Sequence, residues 1–225
     1  MNSRDKAIVE ALKTFRVLSR DQLIGLYFNE LKNPINSANN VLKRLSRDGI
    51  IKCSTRFSPY VYFLAETKIK PDSQKIPHFL SLADTFIEMQ STGHAPKHLA
   101  IEPKYQRKGG VEPDIFCKWL GMPIFIEVQR NTYSAAAMKK KIDLYENYFH
   151  SDEWKQEPYQ EFGRERFPTV ILITDTRYAV KSDNFNILQL PNMTELFEKV
   201  QQKRQSKPQE RQKINVSSNL KIKSN

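Results

Sequence analysis

Cysteine is scarce: among 225 residues only Cys53 and Cys117 occur, too few for a disulfide scaffold and not spaced as a zinc site. A reduced, cytoplasmic setting is the expectation. Long apolar runs are missing as well. The longest, Tyr60 to Ala65, falls far short of the roughly 20 residues that cross a bilayer, which argues against a spanning helix and a membrane partner. Asp5, Glu10 and Lys13 break up the start of the chain, so no secretory signal is expected.

What the chain has is positive charge, unevenly placed. Lys and Arg exceed Asp and Glu by 36 to 25, giving a net +11. Residues 1–66 carry +5, residues 67–200 are neutral, and residues 201–225 carry +6. Two basic ends around a neutral middle suggest a polyanion partner, nucleic acid being the commonest, although a solvated surface has the same composition.

The first 66 residues read as three helices and a hairpin. Ile8, Ala11, Leu12 and Phe15 recur at helical spacing, and Ser19 offers an N-cap before Leu23, Leu26 and Tyr27. A third helix follows Pro34, with Ala38, Val41, Leu42 and Leu45 inward and Gly49 as its stop. Its other face carries Asn36, Asn40, Lys43 and Arg47, with Arg44 at the edge. Asn pairs with adenine, and Lys and Arg pair with guanine or phosphate. Residues 50–54 and 60–65 then read as strands around a turn containing Arg56, a further candidate DNA contact. That order is a winged helix-turn-helix, whose third helix enters the major groove of double-stranded DNA. The same module also serves in protein docking and in homodimers, and a homodimer would match a palindromic site.

Residues 67–75 read as a linker and residues 76–202 as a second, mixed α/β domain. A helix is expected over 76–90, strands near 98–103, 111–119 and 123–130, a helix over 134–149, strands over 169–174 and 186–190, and a helix over 193–202. Residues 203–225 form a polar, basic tail, expected to be disordered.

The chemistry concentrates between Val111 and Arg130. If Leu120-Gly121 is a two-residue hairpin loop, Trp119 pairs with Met122, Asp114 falls opposite Glu127, and Glu112 falls opposite Gln129. All four side chains then share one face, with Ile124, Ile126 and Val128 on the other. Carboxylates directly across a pair lie about 4.5–5.5 Å apart at Cβ and repel, which a divalent cation would offset.

Pro113-Asp114 and Glu127-Val128-Gln129 on neighbouring strands resemble the PD-(D/E)XK nuclease superfamily, in which two such acidic residues hold Mg²⁺ for phosphodiester hydrolysis. With Glu127 to Thr132, then Lys141-Ile142-Asp143-Leu144-Tyr145, all behind a winged helix, the chain is similar to the replication-relaxation family of plasmid and mobile-element proteins over roughly residues 5–200. That family carries E-x-D-R-G-T followed by K-L-x-x-Y, and a histidine in the preceding helix that His78 matches. Gln129 stands where the superfamily usually has Lys and the family Asp, and Asn131 replaces the Gly.

The resemblance implies a fold of winged helix plus a nuclease-like domain, its mixed sheet flanked by helices, and a role with plasmid or mobile-element DNA. It also implies a nicking centre using Mg²⁺ or Mn²⁺. Asp114 and Glu127 would hold the metal, with Glu102 completing its shell; Gln129 would position water, and Lys141 would supply the missing positive charge. Arg130 and the tail would hold phosphate. Glu88 resembles the acidic helix residue of many such nucleases, and Tyr145 reads as a packing aromatic. Loss of the superfamily lysine equally fits a non-catalytic DNA-binding regulator on an inactive scaffold.

Overall fold

The computed structural model describes residues 1–106 and 109–205. Three helices, α1 (Ser3–Phe15), α2 (Arg20–Tyr27) and α3 (Pro34–Arg47), interleave with a short strand β1 (Leu18–Ser19) and precede a hairpin of β2 (Ile51–Ser54) and β3 (Val61–Leu64). The small sheet runs β1-β3-β2, all antiparallel, which is the winged-helix arrangement. Two capping boxes start the first helices: Asn2 with Asp5, and Ser19 with Gln22. Strand β1 was not expected; two residues are too short to show an alternating pattern.

Next come α4 (Ile76–Ser91), β4 (Lys97–Ile101), β5 (Ile115–Trp119), β6 (Met122–Val128), α5 (Ala135–His150), a 3-10 turn (Glu153–Gln156), β7 (Thr169–Ile173) and β8 (Ile187–Leu190). A last helix, α6, runs over residues 193–205. Helix therefore continues through 203–205, where a disordered tail was expected; the rest of that expectation, 206–225, lies outside the described residues. The five strands lie in the order β4-β5-β6-β7-β8, antiparallel as far as β6 and parallel beyond it. The parallel β6-β7 pair requires a crossover, and α5 supplies it.

The β5-β6 register is the expected one, with Trp119 opposite Met122 and Ile115 opposite Ile126. Leu120 and Gly121 both adopt positive φ, 53° and 85°. That is the two-residue hairpin geometry whose twist matches the strands it joins.

Alternation then divides the core. Ile115, Cys117, Ile124 and Ile126 face α4 and α6, whereas Phe116 and Phe125 face the α5 side, packed with Met138, Ile142, Tyr145 and Tyr148. Helix α4 also faces the winged helix. Ala83 is buried in the winged-helix core with Phe86 packed on it, and the Phe15 and Phe86 rings lie 5.2 Å apart. Phe79 and Leu82 join a cluster that takes Val17, Val61 and Phe63 from the winged helix and Ile115 and Ile126 from the large sheet. Gln22 Nε2 donates to the Leu80 carbonyl at 2.8 Å and to Asp84 Oδ1 at 2.6 Å. The sequence linker at 67–75 thus joins two halves that share apolar core through α4. Among the described residues, no helix is long and apolar enough to cross a membrane.

Because Phe79 is 2 % exposed at this junction, Phe79→Ala should cost about 3–5 kcal/mol. Calorimetry should show one unfolding transition moving as a whole, not a winged-helix transition separating from that of the sheet.

Candidate functional site

Two regions carry candidate functional side chains. On α3, Ala38, Leu42 and Leu45 are buried, so the opposite face is forced outward by the helical period. Asn36, Asn40, Lys43 and Arg47 are all exposed along it. Arg47 bonds only its neighbour Asp48, at 3.0 Å, and Lys43 makes no ion pair among the described residues. Arg44 is used differently from its neighbours. It donates to Asp5 Oδ1 at 2.6 Å, and the Asp5 side chain is 2 % exposed. The guanidinium holds the Asp5 carboxyl below its ordinary range and ties α3 to the start of α1. Arg56 pairs with Asp72 at 3.3 Å on the surface, and Arg130 is exposed in the loop after β6.

The second region lies where β4, β5 and β6 open toward α4 and α5. Glu127, near the end of β6, points to the α5 side and is 1 % exposed. Lys141 donates to its Oε2 and the Tyr145 hydroxyl donates to its Oε1 at 2.6 Å. Lys141 and Tyr145 are four residues apart, hence on one face of α5. Asp114, just before β5, turns its Oδ2 onto the Val128 N–H at 2.7 Å, and its Oδ1 lies 3.5 Å from His78 Nε2 on α4. The same imidazole nitrogen is 3.4 Å from Glu102 Oε1. Glu102, past the end of β4 and with φ 46°, accepts from Arg16 at the C-cap of α1, and the Arg16 guanidinium sits 5.0 Å over the Phe79 ring. Ionic contacts thus run from Arg16 of the winged helix through Glu102 and His78 to Asp114, and the Glu127–Lys141 pair of β6 and α5 lies within electrostatic reach of Asp114.

The expected constellation is present in part. Asp114, Glu127 and Lys141 converge, and Glu102 joins them through His78. Gln129 lies on the same side, its Nε2 3.8 Å from Met138 Sδ and its Oε1 buried with no hydrogen-bond partner among the described residues. Glu112 does not share the face; it reaches Lys104 at 3.0 Å in solvent, because regular pairing begins only at Ile115 and strand alternation does not extend back to it. Glu88 instead accepts from the Met193 and Thr194 N–H groups and the Thr194 hydroxyl, capping α6. Arg16 was missed, since nothing local marks a partner 86 residues away. Tyr145 was read as packing alone. Its i, i+4 spacing from Lys141 was the available signal for its hydroxyl contact.

The donor set bears on a metal. Both Glu127 oxygens are taken, one by an ammonium and one by a phenol, and Asp114 spends one oxygen on a backbone N–H. Among the described residues, no group of three or more His, Cys, Asp and Glu side chains is arranged to hold a metal ion. In this arrangement each Glu127 oxygen already accepts one hydrogen bond from the protein.

Burial pushes the Glu127 carboxyl up to about 7 against the pull of Lys141. Burial also lowers Lys141, but the Glu127 and Asp114 carboxylates outweigh it and the net shift is upward. Lys141 therefore stays charged through the neutral range, while Glu127 takes up a proton below about 7. Glu102, hydrogen-bonded to it, raises His78 above its usual value; Glu102 itself is held low, first by that His78 contact and then by Arg16.

A carboxyl whose folded pKa exceeds its unfolded one binds more protons when folded, so stability falls as pH rises through that interval. His78 acts in the same sense above its usual value, and Glu102 in the opposite sense only under acid conditions. Thermal midpoints should therefore fall between pH 5.5 and 8. In Glu127→Gln that fall should be smaller; an equal slope would contradict the assignment.

Neither a curated protein nor a solved structure matches the chain. A family model described as replication-relaxation matches residues 9–163. That span takes in α2, α3, the hairpin, α4 and every residue of the Arg16-to-Tyr145 chain, so the protein belongs to the replication-relaxation family.

Proposed function

We propose that the protein binds double-stranded DNA through α3 and that this binding is its part in replication or relaxation of plasmid or mobile-element DNA. The role in replication or relaxation follows from the family. The observation that carries the DNA reading is the exposed stripe of Asn36, Asn40, Lys43 and Arg47 on the third helix of a winged helix. Amides at 36 and 40 suit base edges, and the cations at 43 and 47 suit phosphate or guanine. The shared α4 core supports the reading further, because a fixed mount holds that exposed stripe in one orientation.

The sheet domain is then a scaffold whose acidic residues are neutralised within the protein. A second reading, nicking dependent on Mg²⁺ or Mn²⁺, draws support from the convergence of Asp114, Glu127 and Lys141. It requires the Glu127 oxygens to ligate a cation through lone pairs that Lys141 and Tyr145 leave free, or those two donors to shift.

Fluorescence anisotropy with duplex DNA should show affinity falling steeply with salt, as phosphate contacts release counterions. Lys43→Ala with Arg47→Ala should weaken binding and flatten the log–log salt slope by roughly 1–2, leaving the thermal midpoint unchanged. Arg44→Ala should do the reverse, lowering the midpoint because Asp5 loses its partner. Duplex binding that ignores both salt and the α3 changes would overturn the proposal.

Supercoiled plasmid incubated with the protein and Mg²⁺ or Mn²⁺ separates the two readings. Our expectation is no metal-dependent nicked product. A nicked product abolished by Asp114→Ala would establish the second reading.

A further inference from the structure

Far from the Asp114–Glu127 cluster, at the β5-β6 turn and the amino ends of β7 and β8, two recesses adjoin. The smaller, about 190 Å³, is polar and is lined by Lys118, Arg164 and Arg166 together with Glu161. The larger, about 560 Å³, is apolar and is lined by Phe149, Trp154 and Phe167 with Asn186 at its rim. Pro123 and Arg166 line both, so the two are adjacent. The larger volume falls in the roughly 300–1,000 Å³ range of small-molecule sites.

The polar recess is organised around an anion. Lys118 donates to Glu161 Oε1 at 2.6 Å, and Lys118, with Arg164 and Arg166 behind it, holds the Glu161 carboxyl below its usual range. Glu161 is exposed, and among the described residues Arg164 and Arg166 make no ion pair of their own. Three cations thus face one position that a single exposed carboxylate now fills, and a phosphate carries more charge and more acceptor oxygens than that carboxylate. The apolar recess is organised around flat rings. Phe149 and Trp154 stack at 16° and 5.9 Å, Phe167 stands edge-on to both, and Lys155 Nζ lies 5.5 Å over the Trp154 ring. Asn186 is exposed, and its side chain makes no hydrogen bond among the described residues. A planar ring entering this recess meets aromatic surface and an amide able to read a polar edge.

From these two adjoining recesses we infer a nucleotide-binding site: the phosphate sits with Lys118, Arg164 and Arg166, and the base sits against Phe149, Trp154 and Phe167 beside Asn186. A phosphate joined to an aromatic heterocycle matches both chemistries and their adjacency. The unit can arrive as a free mononucleotide or as one residue of a single strand. The site shares no residue with α3, so its failure and that of duplex binding are distinguishable.

The full chain is titrated with dTMP by equilibrium dialysis and with a labelled ten-nucleotide oligothymidylate by anisotropy. Saturable binding of either ligand is expected. Arg164→Glu combined with Arg166→Glu, both on exposed positions, should weaken it on the order of tenfold or more, and duplex binding through α3 should stay within about twofold of wild type. Lys43→Ala with Arg47→Ala should give the converse pattern. dTMP binding as tight as the oligomer assigns a free nucleotide; binding of the oligomer alone assigns single-stranded DNA. Failure of both ligands to bind, or binding unchanged in the Arg164→Glu, Arg166→Glu protein, overturns the inference.

Discussion

A carboxylate that water cannot reach must be compensated by neighbouring protein groups, and Glu127 is compensated from one helix face by Lys141 and Tyr145. This interaction fixes α5 against β6, and through that the crossover leading into β7. Its influence passes on toward α4. Asp114 lies close enough to influence both Glu127 and Lys141, and its own oxygens are divided between the Val128 N–H and His78. His78 is shared with Glu102, and Glu102 with Arg16. Each acidic side chain in the series has a cation, a proton donor or both, so the acidic cluster needs no outside ion to offset its repulsion. The same residue types can serve a divalent metal or an internal ion-pair chain; the partner at each oxygen decides between them.

Helix α4 gives the winged helix its orientation. It contributes Ala83 to one core and Phe79 and Leu82 to the other, and its carbonyl and carboxylate at Leu80 and Asp84 receive Gln22. Apolar burial across such a junction opposes independent rocking of the two parts, because separation would return those faces to water. The α3 stripe and the large sheet are thus presented in a set relation. On the proposed reading, a duplex held on α3 would meet the rest of the protein at a fixed angle.

Much of this was legible in the sequence, and for definite reasons. Helical periodicity located α3, α4 and α5 to within a residue or two, and Leu120-Gly121 set the β5-β6 register because only a two-residue turn fits between Trp119 and Met122. The same register brought Asp114 toward Glu127. What stayed hidden depends on where strands stop and on distant partners. Glu112 lies outside the paired strand, so alternation no longer governs it. Arg44 stands on the same helix as Lys43, yet Asp5 claims it from a helix 39 residues earlier. Glu88 looked like a nuclease helix acid and turned out to cap α6, whose start lies more than a hundred residues further on. No local pattern encodes such pairings. The sharing of a core across residues 67–75 was also illegible, since a polar linker says nothing about what the flanking elements bury.

The central claim is that the Glu127 oxygens belong to Lys141 and Tyr145. Water-proton relaxation during Mn²⁺ titration tests this directly, since a bound paramagnetic ion that keeps an exchangeable water enhances it. The account predicts the same weak response from wild type, Asp114→Ala and Glu127→Gln. Stoichiometric uptake by wild type that either change abolishes would contradict it.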